Sequence, residues 1–452
     1  MDHINHQKEA GECYDDQNGN GQWDPADTYD DLDGDGHITT MWKQVPDGQY
    51  RRNVDDPRIF ERVGVGEKGD WIRLGSEGID NDGDGRINED HPGYNDMNRN
   101  WPTDWQPTYI QRGAGTYPFS HPETKAIGDF ILAHPNIAAG QSYHNSGGMI
   151  LSGPGASYLT DLYPASDRRV YDEIANKGED ILPYYRNMII YDDLYTVHGG
   201  FVNWLAEGLG ILSFTNELWS AGKYFQRDVR PNDERTWLWR DRLVFGQVFT
   251  DYTEYDHPQF GKILIGGTNK WSGRNTPTFM LEEECHRNFA FTMFHADQMP
   301  LLEFDRFEVR RLDDAQDAGL WAITVQIRNT KPIPTRLAIA QQKRIGTNDL
   351  LICEPQGDTT LVTAGRVTSG SGRFGRFGGG AGREWFSKQM TPVTHEPGRI
   401  QVADGIPSRG SRIYRFIVRG DEGGTILLRY EAERARNIET TIELKQTETL
   451  AP

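Results

Sequence analysis

The segment between Tyr195 and Glu217 combines a phenol, a Gly-Gly turn and a carboxylate. The apolar run of residues 210–214 leads into Glu217, which predicts a buried strand that ends at this acid. In open α/β sheets the carboxyl ends of the strands border the ligand crevice. A carboxylate in that place can take a proton from water and return it to a leaving group. The pattern therefore predicts a carboxylate beside the ligand crevice at the end of this strand.

Two upstream segments carry further groups suited to chemistry. Residues 96–102 read Asp-Met-Asn-Arg-Asn-Trp-Pro, and the planar guanidinium of Arg99 can hold a carboxylate with two parallel hydrogen bonds. Residues 141–148 read Gln-Ser-Tyr-His-Asn-Ser-Gly-Gly, with an apolar stretch from Ile137 that predicts a strand running into His144. An imidazole at a strand end is a candidate metal ligand.

These segments, in this order, resemble the zinc metallocarboxypeptidases of the carboxypeptidase A type over about residues 90–300. The resemblance implies a zinc-dependent hydrolase that removes C-terminal residues from peptides. Asn98, Arg99 and Tyr195 would bind the terminal carboxylate of the peptide. His144 would be a zinc ligand, and Glu217 would be the general base.

The resemblance also implies that Val202 lies at the base of the substrate side-chain pocket, which favours an apolar or aromatic C-terminal residue. The family takes two more zinc ligands from a His-x-x-Glu pair, and this sequence has no convincing copy. His6 and Glu9 fit the bare pattern, but no apolar strand precedes them, so a disordered terminus is the competing interpretation. The expectation is a chain that begins inside the catalytic domain.

Three acidic loops follow the D-x-[DN]-x-[DN]-G pattern of calcium-binding loops. The candidate ligands are Asp16, Asn18 and Asn20, then Asp31, Asp33 and Asp35, then Asp80, Asp82 and Asp84. Packed like charges need a counter-ion to become ordered, so structural Ca²⁺ is predicted, with a solvated acidic loop as the alternative. Such sites suit millimolar extracellular calcium, and the resemblance likewise implies a secreted or periplasmic protein.

Composition limits the possible partners. The formal net charge of −19 argues against nucleic acids and anionic membranes. The sequence has no apolar stretch long enough for a membrane span, and residues 1–6 lack the features of a signal peptide. The three cysteines are Cys13, Cys285 and Cys353, and their wide spacing predicts no disulfide scaffold. A single disulfide between two of them stays open as an alternative.

The predicted fold class is α/β: a carboxypeptidase-like mixed sheet flanked by helices, N-terminally incomplete, with a C-terminal β-sandwich. The predicted divisions are an acidic, loop-rich part of the catalytic domain at residues 1–95, the main catalytic part at 96–300 and the β-sandwich at 301–452. Helices are expected over residues 122–132, 167–187 and 278–299, a long excursion at 218–278 and a flexible loop at 369–382.

Three functions stay open at this point. The first is a zinc carboxypeptidase whose missing ligands come from His6 and Glu9 or from an unrecognised pair. The second is a non-catalytic remnant that binds peptide C-termini without metal. The third is a calcium-stabilised interaction module on a peptidase scaffold.

Overall fold

A computed structural model describes residues 31–79, 96–220, 222–225, 240–269, 275–313, 318–368 and 389–447. None of the helices in these ranges is long and apolar enough to span a membrane. The described chain forms four sheets, of which one carries the predicted site residues.

The sheet that carries the site has four strands in the order β5-β8-β6-β7. They are β5 (Ala139–Asn145), β6 (Met149–Ser152), β7 (Arg186–Ile189) and β8 (Leu212–Leu218). β5 runs parallel to β8, whereas β6 runs antiparallel to β8 and parallel to β7. The predicted mixed sheet is therefore present. Five of the seven residues of β8 are buried, and its apolar Leu212 and Phe214 share one face, where they join a buried cluster.

Helices cover both faces of this sheet. They are α1 (Pro122–Ala133), α2 (Ala165–Ile181), α3 (Phe201–Asn203), α4 (Gly222–Phe225) and α5 (Leu281–Asp297). Three-residue 3₁₀ turns lie at Met97–Arg99 and Thr278–Met280, a longer one at Ser157–Leu162, and π-helical turns at Ile190–Leu194 and Trp204–Gly208. The three predicted helices exist, but α2 ends earlier than expected, because Pro183 disfavours helical backbone at Leu182.

A second sheet corrects the expectation that residues 1–95 are loop-rich where they are described. Its strands are β1 (Thr40–Gly48), β2 (Tyr50–Arg52), β3 (Phe60–Arg62), β4 (Gly69–Ser76), β9 (Phe249–His257) and β10 (Gly261–Thr268). Their order is β3-β2-β4-β1-β10-β9. Part of the expected excursion at 218–278 thus forms a hairpin that pairs with β1. Pairing between such distant segments leaves no local sequence signal, which is why the sheet was not predicted.

The C-terminal region is β-rich and has two antiparallel sheets. One contains β11 (Leu302–Arg311), β12 (Gly319–Asn329), β14 (Thr360–Val367), β15 (Met390–Pro392) and β17 (Ser411–Gly420). The other contains β13 (Asp349–Pro355), β16 (Arg399–Val402), β18 (Thr425–Glu431) and β19 (Ile438–Glu443). Buried residues from both sheets form one apolar cluster, which includes Trp321, Phe416 and Leu428. The region also holds α6 (Ala338–Lys343).

The C-terminal region packs directly on the sheet that carries the predicted site residues. Leu337, Ile339 and Ala340 at α6 belong to the same buried cluster as Phe214 of β8 and Phe291 of α5. The buried carboxylate of Asp167 accepts hydrogen bonds from the backbone amides of Ala338 and Ile339 at 2.9 and 2.8 Å. One hydrophobic core therefore spans the junction between the two regions.

Candidate active site

The ends of two neighbouring parallel strands bring His144 and Glu217 together. In the β5–β8 register, His144 lies directly opposite Glu217. Two residues earlier on each strand, the hydroxyl oxygens of Ser142 and Thr215 are 2.7 Å apart. Parallel pairing makes this meeting possible, because both strands end at the same edge of the sheet.

The Asn-Arg segment is held at this edge by its own turn. The carboxylate of Asp96 accepts the amide of Asn98 at 2.8 Å, and its other oxygen lies 3.8 Å from Nε of Arg99. The side-chain oxygen of Asn98 accepts the amide of Phe201 at 2.9 Å. That bond leaves the NH₂ group of Asn98, a hydrogen-bond donor, as the group that can serve a carboxylate.

The segment that carries Tyr195 is anchored on both sides while its ring is more than half exposed. Backbone amides of Tyr195 and Val197 donate to the carbonyls of Ile190 and Gly155 at 3.1 and 2.8 Å. Gly199 has φ +63°, and a Cβ there would lie 2.4 Å from the carbonyl oxygen of Arg99. The glycine is therefore required for the tyrosine segment to approach the arginine segment.

These side chains line one cavity of about 360 Å³. All five predicted residues of the catalytic and substrate-binding set, and the predicted zinc ligand, line it: Asn98, Arg99, His144, Tyr195, Val202 and Glu217. One wall is apolar and comes from a buried cluster of Leu151, Ile190, Val197 and Val202. Sequence reasoning found Val202 but missed the other three, because nothing in their local sequence indicates a shared wall.

A buried polar group lies beneath the apolar wall. Glu207 is fully buried, and its Oε1 accepts hydrogen bonds from Asn203 at 3.1 Å and from Tyr163 at 3.0 Å. Burial raises the pKa of the Glu207 carboxyl above its usual range. Asn203, the neighbour of Val202, also lines the cavity. The hydrogen bond to Glu207 thus holds in place Asn203, which lines the cavity.

A second polar contact, not predicted from the sequence, lies next to the tyrosine segment. Nδ1 of His198 is 2.7 Å from Oδ2 of Asp104, and the Tyr158 hydroxyl donates to both oxygens of the same carboxylate. Partial burial, followed by the contact with Asp104, raises the pKa of Tyr158 to about 12. The contact with Asp104 holds His198, which lies in the turn that follows Tyr195.

A catalytic zinc requires three protein ligands and an open position for water. Among the described residues, the cavity supplies His144 of the predicted ligands, and no group of three ligand side chains converges on it. The described residues therefore do not complete a zinc site by themselves. The candidate ligands His6 and Glu9 lie outside the described residues.

The one group of three metal-ligating side chains found in the described residues lies far along the chain from this cavity, in the acidic loop. Ligand oxygens of Asp31, Asp33 and Glu77 lie within 4.8 Å of one another. Glu77 was not predicted; it is fully buried and accepts amides of Leu32 and Thr39 at 2.8 and 3.2 Å. Burial raises the pKa of its carboxyl. Asp35, a predicted calcium ligand, is not part of this group.

Other predictions fall partly outside the described residues. The calcium candidates Asp16, Asn18, Asn20, Asp80, Asp82 and Asp84 lie there, as do Cys13 and most of the loop expected at 369–382. Cys285 is exposed and Cys353 is buried, and neither forms a disulfide with the other. The calcium assignments stay predictions.

The mixed sheet, with the histidine and the acid side by side at its edge, defines a candidate peptidase site of the carboxypeptidase class. Residues 75–238 match the family model described as zinc carboxypeptidase (Peptidase_M14). The resemblance predicted from the sequence is confirmed over that part of the chain.

Individual relatives also match part of the chain. Over 159 residues the chain is 30% identical to carboxypeptidase A1 of Mus musculus. This match covers 32% of the present chain and 37% of that protein. Similar solved structures are the carboxypeptidase A from Helicoverpa armigera, at 26% identity, and thrombin activatable fibrinolysis inhibitor, at 28% identity. The match to the Helicoverpa armigera enzyme covers 27% of this chain and 32% of that chain, with a TM-score of 0.24. The match to thrombin activatable fibrinolysis inhibitor covers 29% of this chain and 36% of that chain, also with a TM-score of 0.24. The chain thus spans about a third of the length of these relatives.

The C-terminal region matches a different model. Residues 301–443 match a family described as a domain of unknown function (DUF8731). The match falls on the β-rich region and assigns it no activity.

Proposed function

We propose that this chain carries the substrate-binding half and the general base of a zinc-dependent metallocarboxypeptidase. The observation that carries the proposal is the single cavity lined by His144, Glu217, Arg99 and Tyr195. The match of residues 75–238 to the zinc carboxypeptidase family supports the same assignment. By the same resemblance we propose a secreted or periplasmic location.

In this proposal the peptide C-terminus binds first. Its carboxylate lies against the guanidinium of Arg99 and the amide NH₂ of Asn98, and Tyr195 closes over it from the exposed side. The last side chain enters the apolar part of the cavity beside Val202. An apolar or aromatic residue fits there, because no described charged side chain lines that wall.

Glu217 then acts as general base. It takes a proton from the attacking water and later delivers that proton to the amine that leaves. A bound zinc, held by His144 together with ligands from beyond the described residues, would polarise the scissile carbonyl and acidify that water.

The test combines metal content with turnover. Purified chain is loaded with zinc, dialysed and analysed by elemental mass spectrometry, then assayed on a blocked dipeptide with C-terminal phenylalanine. We expect about one tightly held zinc per chain, lost in His144→Ala. We also expect turnover that Glu217→Gln abolishes while zinc is retained. Glu123→Gln, an exposed acid in α1, serves as the matched control.

A second function is considered because the described residues alone supply His144 and no further predicted zinc ligand. If the folded chain retains no zinc but binds the dipeptide, and Arg99→Ala abolishes that binding, the site is a metal-free receptor for peptide C-termini. If zinc is retained and Glu217→Gln remains active, the role of Glu217 is wrong.

A further inference from the structure

A second cavity lies where α2 meets the C-terminal β-rich region. Its volume is about 510 Å³, and its walls come from the first half of α2 and from residues 334–341 and 404–412. It shares no lining residue with the cavity that contains His144 and Glu217. The proposed peptidase reaction therefore makes no use of this space.

Arg336 places a buried positive charge in the wall of this second cavity. It is 9% exposed, and its guanidinium donates hydrogen bonds to the side-chain oxygen of Asn348 and to the carbonyls of Ile345 and Ala403, the last two at 2.8 and 3.1 Å. All three acceptors are neutral. Among the described residues, its Nε has no hydrogen-bond partner and its side chain forms no ion pair. A buried cation without a counter-ion is costly, so the adjacent cavity favours an anion.

Two more arginines line the same cavity. Nη2 of Arg412 pairs with Asp404 at 2.9 Å, whereas its Nε is buried and has no hydrogen-bond partner in the described part of the chain. Arg169 is exposed, and its side chain has no ion-pair partner within the described ranges. Ser166 lines the cavity from the first turn of α2, where the positive end of the helix dipole also favours an anion.

The carboxylates in the wall already have partners. Asp404 pairs with Arg366 and Arg412, Glu173 pairs with Arg409, and Asp167 accepts the backbone amides of Ala338 and Ile339. Five guanidiniums thus meet three carboxylates, or four with the nearby Asp349, which accepts hydrogen bonds from Thr335 and Tyr430. An excess of positive charge therefore surrounds this cavity, in a chain whose net charge is −19.

We propose that the cavity between α2 and the β-rich region binds a phosphoryl group, either as free phosphate or on a small organic molecule. A phosphoryl group offers at least three acceptor oxygens and up to two charges, which suits three guanidiniums from separate segments better than a single carboxylate does. The volume of about 510 Å³ is typical of small-molecule sites and leaves room for an organic part.

The location of this cavity gives the ligand a structural effect. Arg169 belongs to α2, whereas Arg336 and Arg412 belong to the β-rich region, so one bound phosphoryl group would join the two. A ligand that binds the folded state raises its stability. The proposal does not depend on the proposed peptidase function, because the two cavities share no residue.

The experiment measures binding of two simple probes. Isothermal titration calorimetry follows the purified chain with inorganic phosphate and with glycerol 3-phosphate, at an ionic strength held constant with sodium chloride. Each probe should bind saturably at one site per chain. Tighter binding of glycerol 3-phosphate would identify a phosphorylated organic molecule as the ligand, and tighter binding of inorganic phosphate would identify free phosphate. Either result supports recognition of the phosphoryl group.

Variants locate the bound probe. Arg169→Gln and Arg412→Gln should each weaken binding about tenfold, because a charge-assisted hydrogen bond is lost. Arg169→Lys should restore part of the affinity, since it keeps the charge but not the planar guanidinium. Arg419→Gln is the matched control: it is an exposed arginine on the same strand as Arg412, about 23 Å further along β17, and should leave binding unchanged. Circular dichroism confirms that each variant is folded.

Three outcomes would overturn the proposal. The first is no saturable binding of either probe below about 10 mM. The second is binding that Arg169→Gln and Arg412→Gln both leave intact. The third is binding that Arg99→Ala or His144→Ala abolishes, since the anion would then occupy the candidate active site. Zinc content and dipeptide turnover are measured separately, so a failure of the proposed function would leave the phosphate result standing.

Discussion

At the scale of single residues, the candidate site depends on groups that are held before any ligand arrives. Arg99 is largely buried and lies between the Asp96 carboxylate and the backbone of its own turn. Asn98 is fixed by the amide of Phe201. Such pre-organisation reduces the conformational entropy lost on binding, so recognition of a carboxylate costs less.

The role of Arg99 leads to a binding prediction. Arg99→Ala should weaken binding of a dipeptide with a free C-terminus by roughly 2 kcal/mol, or about thirtyfold, because a charge-assisted hydrogen bond is lost. Isothermal titration calorimetry provides the measurement. Arg99→Lys should restore only part of the affinity, since a lysine cannot form the paired bonds.

The controls separate recognition from folding. Arg419→Ala, at an exposed position of β17, should bind the dipeptide like the unchanged chain. A C-terminally amidated dipeptide should bind weakly to every variant. Equal binding of the free and amidated forms by the unchanged chain would contradict the assignment of Arg99.

At the scale of elements, helices and loops bury titratable groups that link stability to pH. His295 of α5 is buried against the rings of Phe214 and Phe291. Its Nε2 has no hydrogen-bond partner among the described residues. Burial lowers the pKa of His295 from the ordinary value of 6.5 to about 4.

The sign of the effect follows from proton binding. Between about pH 6.5 and 4 the unfolded chain binds a proton that the folded chain excludes, so the free energy of unfolding falls as the pH falls. The full loss is roughly 3 kcal/mol below pH 4. His295→Phe should therefore lose less stability between pH 7 and 4.5 than the unchanged chain. Urea unfolding at both pH values measures this difference.

A matched histidine provides the control. His286 is exposed on the same helix, and His286→Phe is made in parallel as the control substitution. If His295→Phe and the unchanged chain lose the same free energy of unfolding between pH 7 and 4.5, His295 is not the responsible group.

The acidic loop gives a second prediction at this scale. If calcium binds at Asp31, Asp33 and Glu77, millimolar Ca²⁺ should raise the melting temperature, and Glu77→Gln should remove most of that increase. Differential scanning calorimetry with and without a chelator measures it. Asp47→Asn, an exposed acid on β1, is the control. No calcium-dependent shift in the unchanged chain would make the calcium prediction wrong for this loop.

At the scale of the whole molecule, the C-terminal β-rich region is tied to the catalytic sheet. Besides the shared buried cluster, the Arg434 guanidinium donates hydrogen bonds to the carbonyls of Leu209 and Gly210, just before β8, the strand that carries Glu217. The helix α6 supplies Ile339, which is almost fully buried. The β-rich region therefore stabilises the part of the fold that positions the candidate base.

This coupling predicts cooperative loss of stability. Ile339→Ala should lower the free energy of unfolding by about 2–5 kcal/mol, the range for large apolar side chains removed from a core. Calorimetry should show a single unfolding transition for the described regions together, and Ile339→Ala should shift the whole transition to lower temperature. Val362→Ala, half exposed on β14, should change stability by less than about 0.5 kcal/mol. A separate transition for the β-rich region alone would contradict the coupling.

The sequence by itself determined the two strands that carry His144 and Glu217, the main helices and six of the cavity residues. These depend on local signals: an apolar run before Glu217, a proline at the start of α1, and short motifs in a fixed order. The strands after residue 300 could be predicted for the same reason, because the alternation of apolar and polar residues is a local property of the sequence.

Only the tertiary structure decided which distant residues meet. It paired residues 40–76 with the hairpin at 249–268, joined Glu77 to the acidic loop, and placed Leu151, Ile190 and Val197 in one wall with Val202. Such contacts join positions far apart in the chain and are selected by the packing of whole elements, so no local pattern predicts them.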